Sequence, residues 1–549
     1  DMKVIAAISA DFDHGALGTS ARLEADLRGE TVLRRTLRRV LQSRGLAGVH
    51  LVVPTAQAER AARAAAGLAV QIETHDAAPV PWGAYVRSAR KWSMDAWRGG
   101  LSGASVFDES LDPWVLDGLA GREAVDGIVD IPASACLLDP TLLDAMIAHY
   151  EGVHEDVRMT FTQSAPGLSA AIYAPSLLAD LVKAVQPIGR TMAFNPADIR
   201  KDMIMLPCFY PPHSDVRRAF GRCLADTGMA FDRVARIVDH GAATGGEDSL
   251  DAFRVSQWLL EHRLQACGDL PAEVEIELTT DDPLPGSTLR PRGSAVERRG
   301  PMDESLFARL VAELAGRDDL RVVLGGFGDP LMHPEWPRWV RLCREAGVFA
   351  LAVRTPAVHL DDAAVSALLD ARVDVLNVLL DAATAETYLR VHQADYFDRV
   401  LANIDRLTEA HRQRGQPQPL VVCEMMKTHA TMDEIEVFYD HWLRKTGTAV
   451  LSGPSDYAGE WADLAVMNMA PPNRAPCERL HARASVLADG RVLLCDQDYN
   501  GRHAIGSLTD ASLSALWTGP AMTAARQAQA AGQYDALPLC PVCREWHRP

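Results

Sequence analysis

Cys477-Glu478-Arg479-Leu480, Ala488-Asp489-Gly490-Arg491-Val492-Leu493-Leu494-Cys495 and Cys540-Pro541-Val542-Cys543 are the stretches on which the reading of this chain turns. Asp489-Gly490 stands between two apolar runs. Such a pair favours a tight hairpin turn, because the central positions of that turn need positive φ. A hairpin there folds Cys477 and Cys495 towards one another. Cys540 and Cys543 form a C-x-x-C knuckle, which presents two thiolates to one ion or cluster. Two distant cysteines plus a knuckle make a tetrathiolate site, and soft thiolates select zinc or iron–sulfur. Spacing alone does not separate those two. The other cysteines (Cys136, Cys208, Cys223, Cys267, Cys343 and Cys423) are scattered and read as core or free thiols, not as a disulfide framework.

Upstream of the cysteines the chain alternates apolar runs with helical stretches. Val274–Leu278, Leu320–Leu324, Val348–Val353, Val373–Leu380, Pro419–Met425 and Ala449–Leu451 read as strands. Helices fall between them, among them Glu304–Ala315, Asp361–Asp370, Asp395–Gln413 and Met432–Lys445. Six such units suit a partial β/α barrel, whose ligands sit at the carboxyl ends of the strands. Residues 2–190 show the same alternation, with strands Val4–Ile8, Val49–Pro54, Leu68–Glu73 and Gly127–Pro132 and helices Thr31–Gln42, Ala56–Ala66 and Pro140–Tyr150. That pattern predicts a layered domain with a largely parallel sheet. Residues 191–270 lack the alternation. They read as a helical connector, with helices Asp215–Asp226 and Leu250–Ala266 and a flexible loop over 241–249.

Length and charge bound the function. The 549 residues allow about three or four domains of ~100–200 residues each. Hydrophobic content of 48% and charged content of 23% are ordinary for a globular chain, and the net charge is −18. A chain that acidic is not built to grip a nucleic-acid backbone, which needs clustered Lys and Arg. No segment approaches the ~20 apolar residues that span a bilayer. The first apolar run is a short strand with Asp11 and Asp13 behind it, so a cytoplasmic location is expected.

The segment from Cys477 to Cys543 resembles the SPASM/twitch extension of radical S-adenosylmethionine (SAM) enzymes. The D-G-x-V-x-x-C run, Ile505-Gly506-Ser507-Leu508, the Leu513/Trp517 pair and the knuckle all match. The resemblance implies one auxiliary 4Fe–4S cluster on Cys477, Cys495, Cys540 and Cys543. It continues upstream through Leu324-Gly325-Gly326-Phe327-Gly328-Asp329-Pro330-Leu331-Met332-His333-Pro334, similar to the family's Gly-rich motif after the second strand. Arg354-Thr355-Pro356-Ala357 and Leu376–Leu380 with Asp381-Ala382 also fit. These imply a SAM pocket on Gly325, Gly326, Gly328, Asp329 and Thr355.

The family's C-x-x-x-C-x-x-C is missing. Its three ligand places after the first barrel strand fall on Asp282, Gly286 and Leu289, and no such triplet of cysteines occurs elsewhere. Gly and Leu offer no side-chain ligand, and a lone Asp is a poor one for a soft cluster. Reductive SAM cleavage is therefore expected to be absent.

Residues 2–170 resemble nucleotidyltransferases that activate sugars. Gly18-Thr19-Ser20-Ala21-Arg22-Leu23 sits where they have a phosphate loop, and Arg28-Gly29-Glu30 where they have a basic element. This implies a nucleotide pocket on Gly18, Thr19, Arg22 and Arg28. The Mg²⁺-binding Asp of that family is replaced by Ser134, with Asp130 earlier in the strand. The whole arrangement resembles the bacterial spiro-SPASM proteins. The expected fold is α/β: a nucleotidyltransferase-like (Rossmann-like) three-layer domain at 2–190, a helical linker at 191–270, a partial (β/α)6 radical SAM-type barrel at 271–470 without its cysteine triplet, and a small cysteine-rich SPASM/twitch domain at 471–549. The expected function is an iron–sulfur pseudoenzyme that binds a sugar nucleotide or a partner enzyme in surface-glycan metabolism. An enzyme of altered chemistry on such a sugar and an active nucleotidyltransferase are the alternatives.

Overall fold

The computed structural model describes residues 2–99, 101–197, 201–246, 249–265 and 268–548. Cys267 lies outside them. The chain forms two compact units, residues 1–263 and 264–549. No helix among the described residues is long and apolar enough to cross a membrane.

The first unit is built on strands β1 (Val4–Ser9), β2 (Gly48–Pro54), β3 (Gln71–His75), β4 (Gly127–Pro132), β5 (Met159–Thr160) and β6 (Ala171–Tyr173), in the order β3-β2-β1-β4-β6-β5. The first four are parallel, with Ile5 opposite Gly48 and Val4 opposite Gly127. β6 runs antiparallel to β4, and β5 antiparallel to β6. Alternate β1 side chains feed opposite cores. Val4, Ala6 and Ile8 join Leu33, Leu37 and Val40, whereas Ile5 and Ala7 join Phe107, Leu116 and Leu119. A strand buried on both faces reads as a continuous apolar run, which is why β1 and β2 were legible in the sequence. Pro140–Val153 begins on Asp139, whose carboxylate takes the Thr141 and Leu142 amides, with Pro at the first helical position.

Of the linker expected at 191–270, the part up to residue 263 belongs to this unit. Helices Gly228–Thr244 and Ala252–Glu261 pack Val234, Ile237, Val238, Val255 and Leu259 against Leu27, Val32, Cys136 and Leu168. The loop expected over 241–249 begins instead as helix. The apolar stripe Val234, Ile237, Val238, Gly241 continues to Gly241, where a Cβ would come 2.6 Å from Leu250. Gly245, at φ +149, ends the helix. The helix expected at Asp215–Asp226 stops at Arg218. Beyond it Gly221 takes φ +141, and Arg222 is buried between Glu109 (2.7 Å) and Asp226 (2.6 Å).

The second unit carries six parallel strands: β7 (Glu273–Glu277), β8 (Arg321–Gly325), β9 (Ala350–Thr355), β10 (Val375–Leu379), β11 (Leu420–Met426) and β12 (Ala449–Ser452). Three more follow: β13 (Arg483–Val486), β14 (Arg491–Leu493) and β15 (Ala504–Ser507). The sheet order is β12-β11-β10-β9-β8-β7-β13-β14-β15. The sheet is open at β12 and is extended past its first strand, β7, by the cysteine-rich tail. β13 pairs parallel to β7, with Ala484 opposite Val274, and then turns back antiparallel into β14. Leu480, Ala484, Val486, Leu513 and Trp517 share one core with Val274, Ile276 and Phe307. The tail thus continues the sheet of the second unit and shares its core.

Candidate metal centre

The tail folds locally as its turns dictate. Leu487 and Arg491 close the hairpin through Leu487 N–H to Arg491 O at 2.9 Å, and Gly490 takes φ +87. Cys477 precedes the short helix Arg479–Ala482, and Cys495 follows β14. The Cys540–Cys543 turn is closed by the Cys543 N–H on Cys540 O at 3.3 Å. None of the four is in a disulfide. Burial pushes all four thiols up, Cys543 to about 11, and the neighbouring Cys477 adds to the rise at Cys495 and Cys543. Thiols of this kind bind a metal as thiolates and release their protons when they do.

The surroundings already point donors at sulfur. Glu545 N–H donates to Cys543 Sγ at 3.3 Å. Gln529, fully buried on helix Pro520–Ala530, donates Nε2–H to Cys540 Sγ at 3.0 Å. Its Oε1 accepts the Cys477 amide at 3.1 Å. Arg479 grips Asp496 with both carboxylate oxygens at 2.9 Å beside Cys477 and Cys495. Sequence reading missed Gln529, since nothing local marks one glutamine among several in an exposed-looking helix.

Among the described residues, one set of three His, Cys, Asp or Glu ligand atoms lies within 4.8 Å of one another: His50, Glu73 and Glu123. Their carboxylates already hold Arg122 at 2.9 Å and Lys3 at 3.2 Å, so the set is self-satisfied. Four cysteine thiols, none of them in a disulfide, are a soft donor set that suits an iron–sulfur cluster.

The barrel's carboxyl end is arranged differently from that expected of a second cluster site. The Asp282 carboxylate is buried against Arg292 and accepts the Leu284 amide at 2.7 Å. A Cβ at Gly286 would meet Gln393 at 3.0 Å. Leu289 is buried with Val391 and Met426. Arg290 and Arg299 turn inward from the same segment. Arg290 reaches Asp381 at 2.6 Å and Arg299 reaches Glu277 at 2.6 Å. Arg354 lies 3.4 Å from Glu424. Burial pushes Arg292 down to about 10. The residues at 282, 286 and 289 do not fit an iron–sulfur cluster. The run Arg290-Pro291-Arg292 and the pair Arg298-Arg299 were the sequence signals for this arginine plug.

The residues expected to hold SAM do come together. Gly325 ends β8, Gly326 takes φ +84, and a Cβ at Gly328 would lie 2.1 Å from the Thr279 carbonyl oxygen. Glu275 accepts the Gly326 amide at 3.2 Å and Glu277 the Phe327 amide at 3.3 Å. Asp329 is fully buried. Its Oδ1 accepts from Thr355 Oγ1 at 2.7 Å and from Leu331 N–H at 3.1 Å, while its Oδ2 has no hydrogen-bond partner.

In the first unit a cavity of about 300 Å³ opens at the carboxyl ends of β1, β2 and β4, lined among others by Asp11, His14, Arg22, Arg87, Asp112 and Ser134. Of the expected nucleotide residues only Arg22 lines it; its Nη1 also donates to Asp226 O at 3.0 Å. Thr19 Oγ1 donates to the same carbonyl at 3.4 Å, and the Arg87 side chain crowds Gly18. Arg28 is paired with Asp239 instead of lining the cavity, because its φ of +60 turns it towards helix Gly228–Thr244. Asp130 is buried on β4 and accepts from Ser110 at 2.8 Å; burial pushes it to about 7.

This chain is similar to an uncharacterised protein of Treponema pallidum (strain Nichols), at 24% identity over 270 residues, which is 47% of this chain and 75% of that one. It is similar to a GTP 3',8-cyclase of Chlorobaculum tepidum, at 33% identity over 155 residues, spanning 26% of this chain and 46% of that one. Among solved structures it aligns with BtrN in complex with AdoMet and 2-DOIA, at 18% identity and a TM-score of 0.34, over 50% of this chain and 93% of that one. Residues 287–440 match the Radical SAM superfamily and residues 477–544 match SPASM, an iron–sulfur cluster-binding domain. The first match begins beyond Asp282 and Gly286, inside the segment where the cysteine triplet is missing. The segment that carries β8 to β11 is thus similar to the radical SAM superfamily, and the segment that carries the four thiols is similar to an iron–sulfur cluster-binding domain.

Proposed function

We propose that this chain is an iron–sulfur protein with one 4Fe–4S cluster, on Cys477, Cys495, Cys540 and Cys543, and a barrel that no longer cleaves SAM reductively. The observation that carries the reading is the arginine plug. Where a catalytic cluster needs three thiolates, Asp282 is paired with Arg292 and Leu289 is buried among apolar side chains. A cluster with four thiolate ligands supplies one-electron transfer and leaves no iron open for substrate. The chain's own residues then do the rest. Gln529 and Glu545 donate to the sulfurs, and Asp329 accepts from Thr355 in the interior at the ends of β8 and β9. Anaerobic assembly should give about four irons and four sulfides per chain. About eight irons, or 5'-deoxyadenosine formed from SAM under reduction, would sink the reading.

The first unit adds a ligand class. With Arg22 and Arg87 at its cavity and Ser134 in place of a metal-binding carboxylate, it suits binding of a sugar nucleotide without transfer. That would make the chain a spiro-SPASM-type scaffold or electron carrier, working with a partner enzyme on surface glycans in the cytoplasm. Calorimetry with cytidine nucleotides should show binding that Arg22→Ala weakens about tenfold. Pyrophosphate release from a nucleoside triphosphate and a sugar acid would restore the transferase alternative.

A further inference from the structure

We infer that Gln529 sets the reduction potential of the cluster by donating a hydrogen bond to one of its thiolates. This rests on the iron–sulfur reading of the four cysteines. Gln529 sits in the last turn of helix Pro520–Ala530 with no exposed surface, on the face that also buries Met522 and Ala525. A fully buried primary amide is costly unless its groups are paired. Here the partners are two of the four ligands. Oε1 accepts the Cys477 amide at 3.1 Å, and Nε2 donates to Cys540 Sγ at 3.0 Å. The first bond fixes the second: a flipped amide would set N–H against N–H at Cys477.

Reduction adds negative charge to a cluster and its thiolates. A donor aimed at sulfur stabilises the reduced state more than the oxidised one, so it raises the potential. The bond at Cys543 comes from the Glu545 backbone, which only a proline there would remove. The side-chain amide of Gln529 is the donor that sequence can tune.

The test uses the full chain, assembled anaerobically with iron and sulfide and titrated with detection of the reduced cluster by EPR. Gln529→Met keeps the length of the side chain and removes both polar groups. The expected result is a lower midpoint: reduction at least tenfold less favourable, about 59 mV for a one-electron couple. Pulsed EPR on uniformly ¹⁵N-labelled protein should show a nitrogen coupling that disappears in Gln529→Met. If Gln529→Met fails to hold iron, Gln529→Leu also loses the donor without adding a charge, and faces the same threshold. An unchanged midpoint at wild-type iron content, or no coupling that depends on residue 529, overturns the inference. So does loss of the cluster from both variants, which would make Gln529 an assembly residue. Wild-type chain without iron and sulfide would overturn the cluster reading itself, before residue 529 is at issue.

Discussion

Replacing Asp282 by Ala should destabilise the second unit far more than an ordinary truncation. The Asp282 and Arg292 side chains are 0% and 4% exposed and in direct contact. Removing one member of a buried ion pair strands the other charge, which costs about 3–5 kcal/mol. At roughly 2–4 °C per kcal/mol for a unit of this size, the melting temperature should fall by roughly 6–20 °C. The remaining attraction of Asp329 for Arg292 puts the expected loss towards the lower end. Removing both charges, as Asp282→Ala with Arg292→Met, leaves nothing stranded and fills the space with an apolar chain. It should recover most of the loss, because apolar replacement of a buried pair is often neutral. Urea unfolding of the iron-free chain, followed by tryptophan fluorescence, measures all three proteins under one condition. A single variant that loses less than about 1 kcal/mol, the level of a surface pair, would refute the argument. So would a double variant as unstable as the single one. Either result would mean that the pair is not buried and that the segment does not plug the barrel.

Three other outcomes follow from the geometry. Cys495→Ser should abolish the visible absorption and lower the iron content of the assembled protein, whereas Cys343→Ser, in the apolar core, should leave iron content unchanged. Gly328→Ala should destabilise by about 1–3 kcal/mol, since its Cβ would lie 2.1 Å from the Thr279 carbonyl oxygen; a variant as stable as wild type in urea would refute that packing. Asp130 should make the first unit lose stability as pH rises. Its folded pKa of about 7 lies above the ordinary aspartate value of 3.8, so the folded state binds more protons between those values. Stability is then undiminished below the lower value and falls until pH passes the upper one. Asp130→Asn should flatten this slope, as read by urea midpoints across the same pH window.

Much of the frame was legible because it is written in local signals. The six βα units show as apolar runs, and the strands of the second unit begin and end within a few residues of the expected places. Asp489-Gly490 announces its hairpin through the backbone conformation that such a turn demands. The misplaced elements are those where a local cue pointed away from the packing. The Gly-rich stretch 241–249 looked flexible, yet helix Gly228–Thr244 extends into its start because Gly241 lets it approach Leu250. Arg28 looked like a phosphate ligand, yet it is held by Asp239, more than 200 positions away in the chain.

The sequence by itself determined the donor inventory: four thiols in a hairpin-and-knuckle frame, and no thiol at 282, 286 or 289. Those facts depend only on residue type and spacing. Only the tertiary structure decided what surrounds them. β13 adds to the sheet beside β7, Arg292 closes on Asp282, and Gln529 reaches Cys477 and Cys540. Each of these depends on which surfaces bury one another, and burial is a property of the assembled core that no short window of sequence contains.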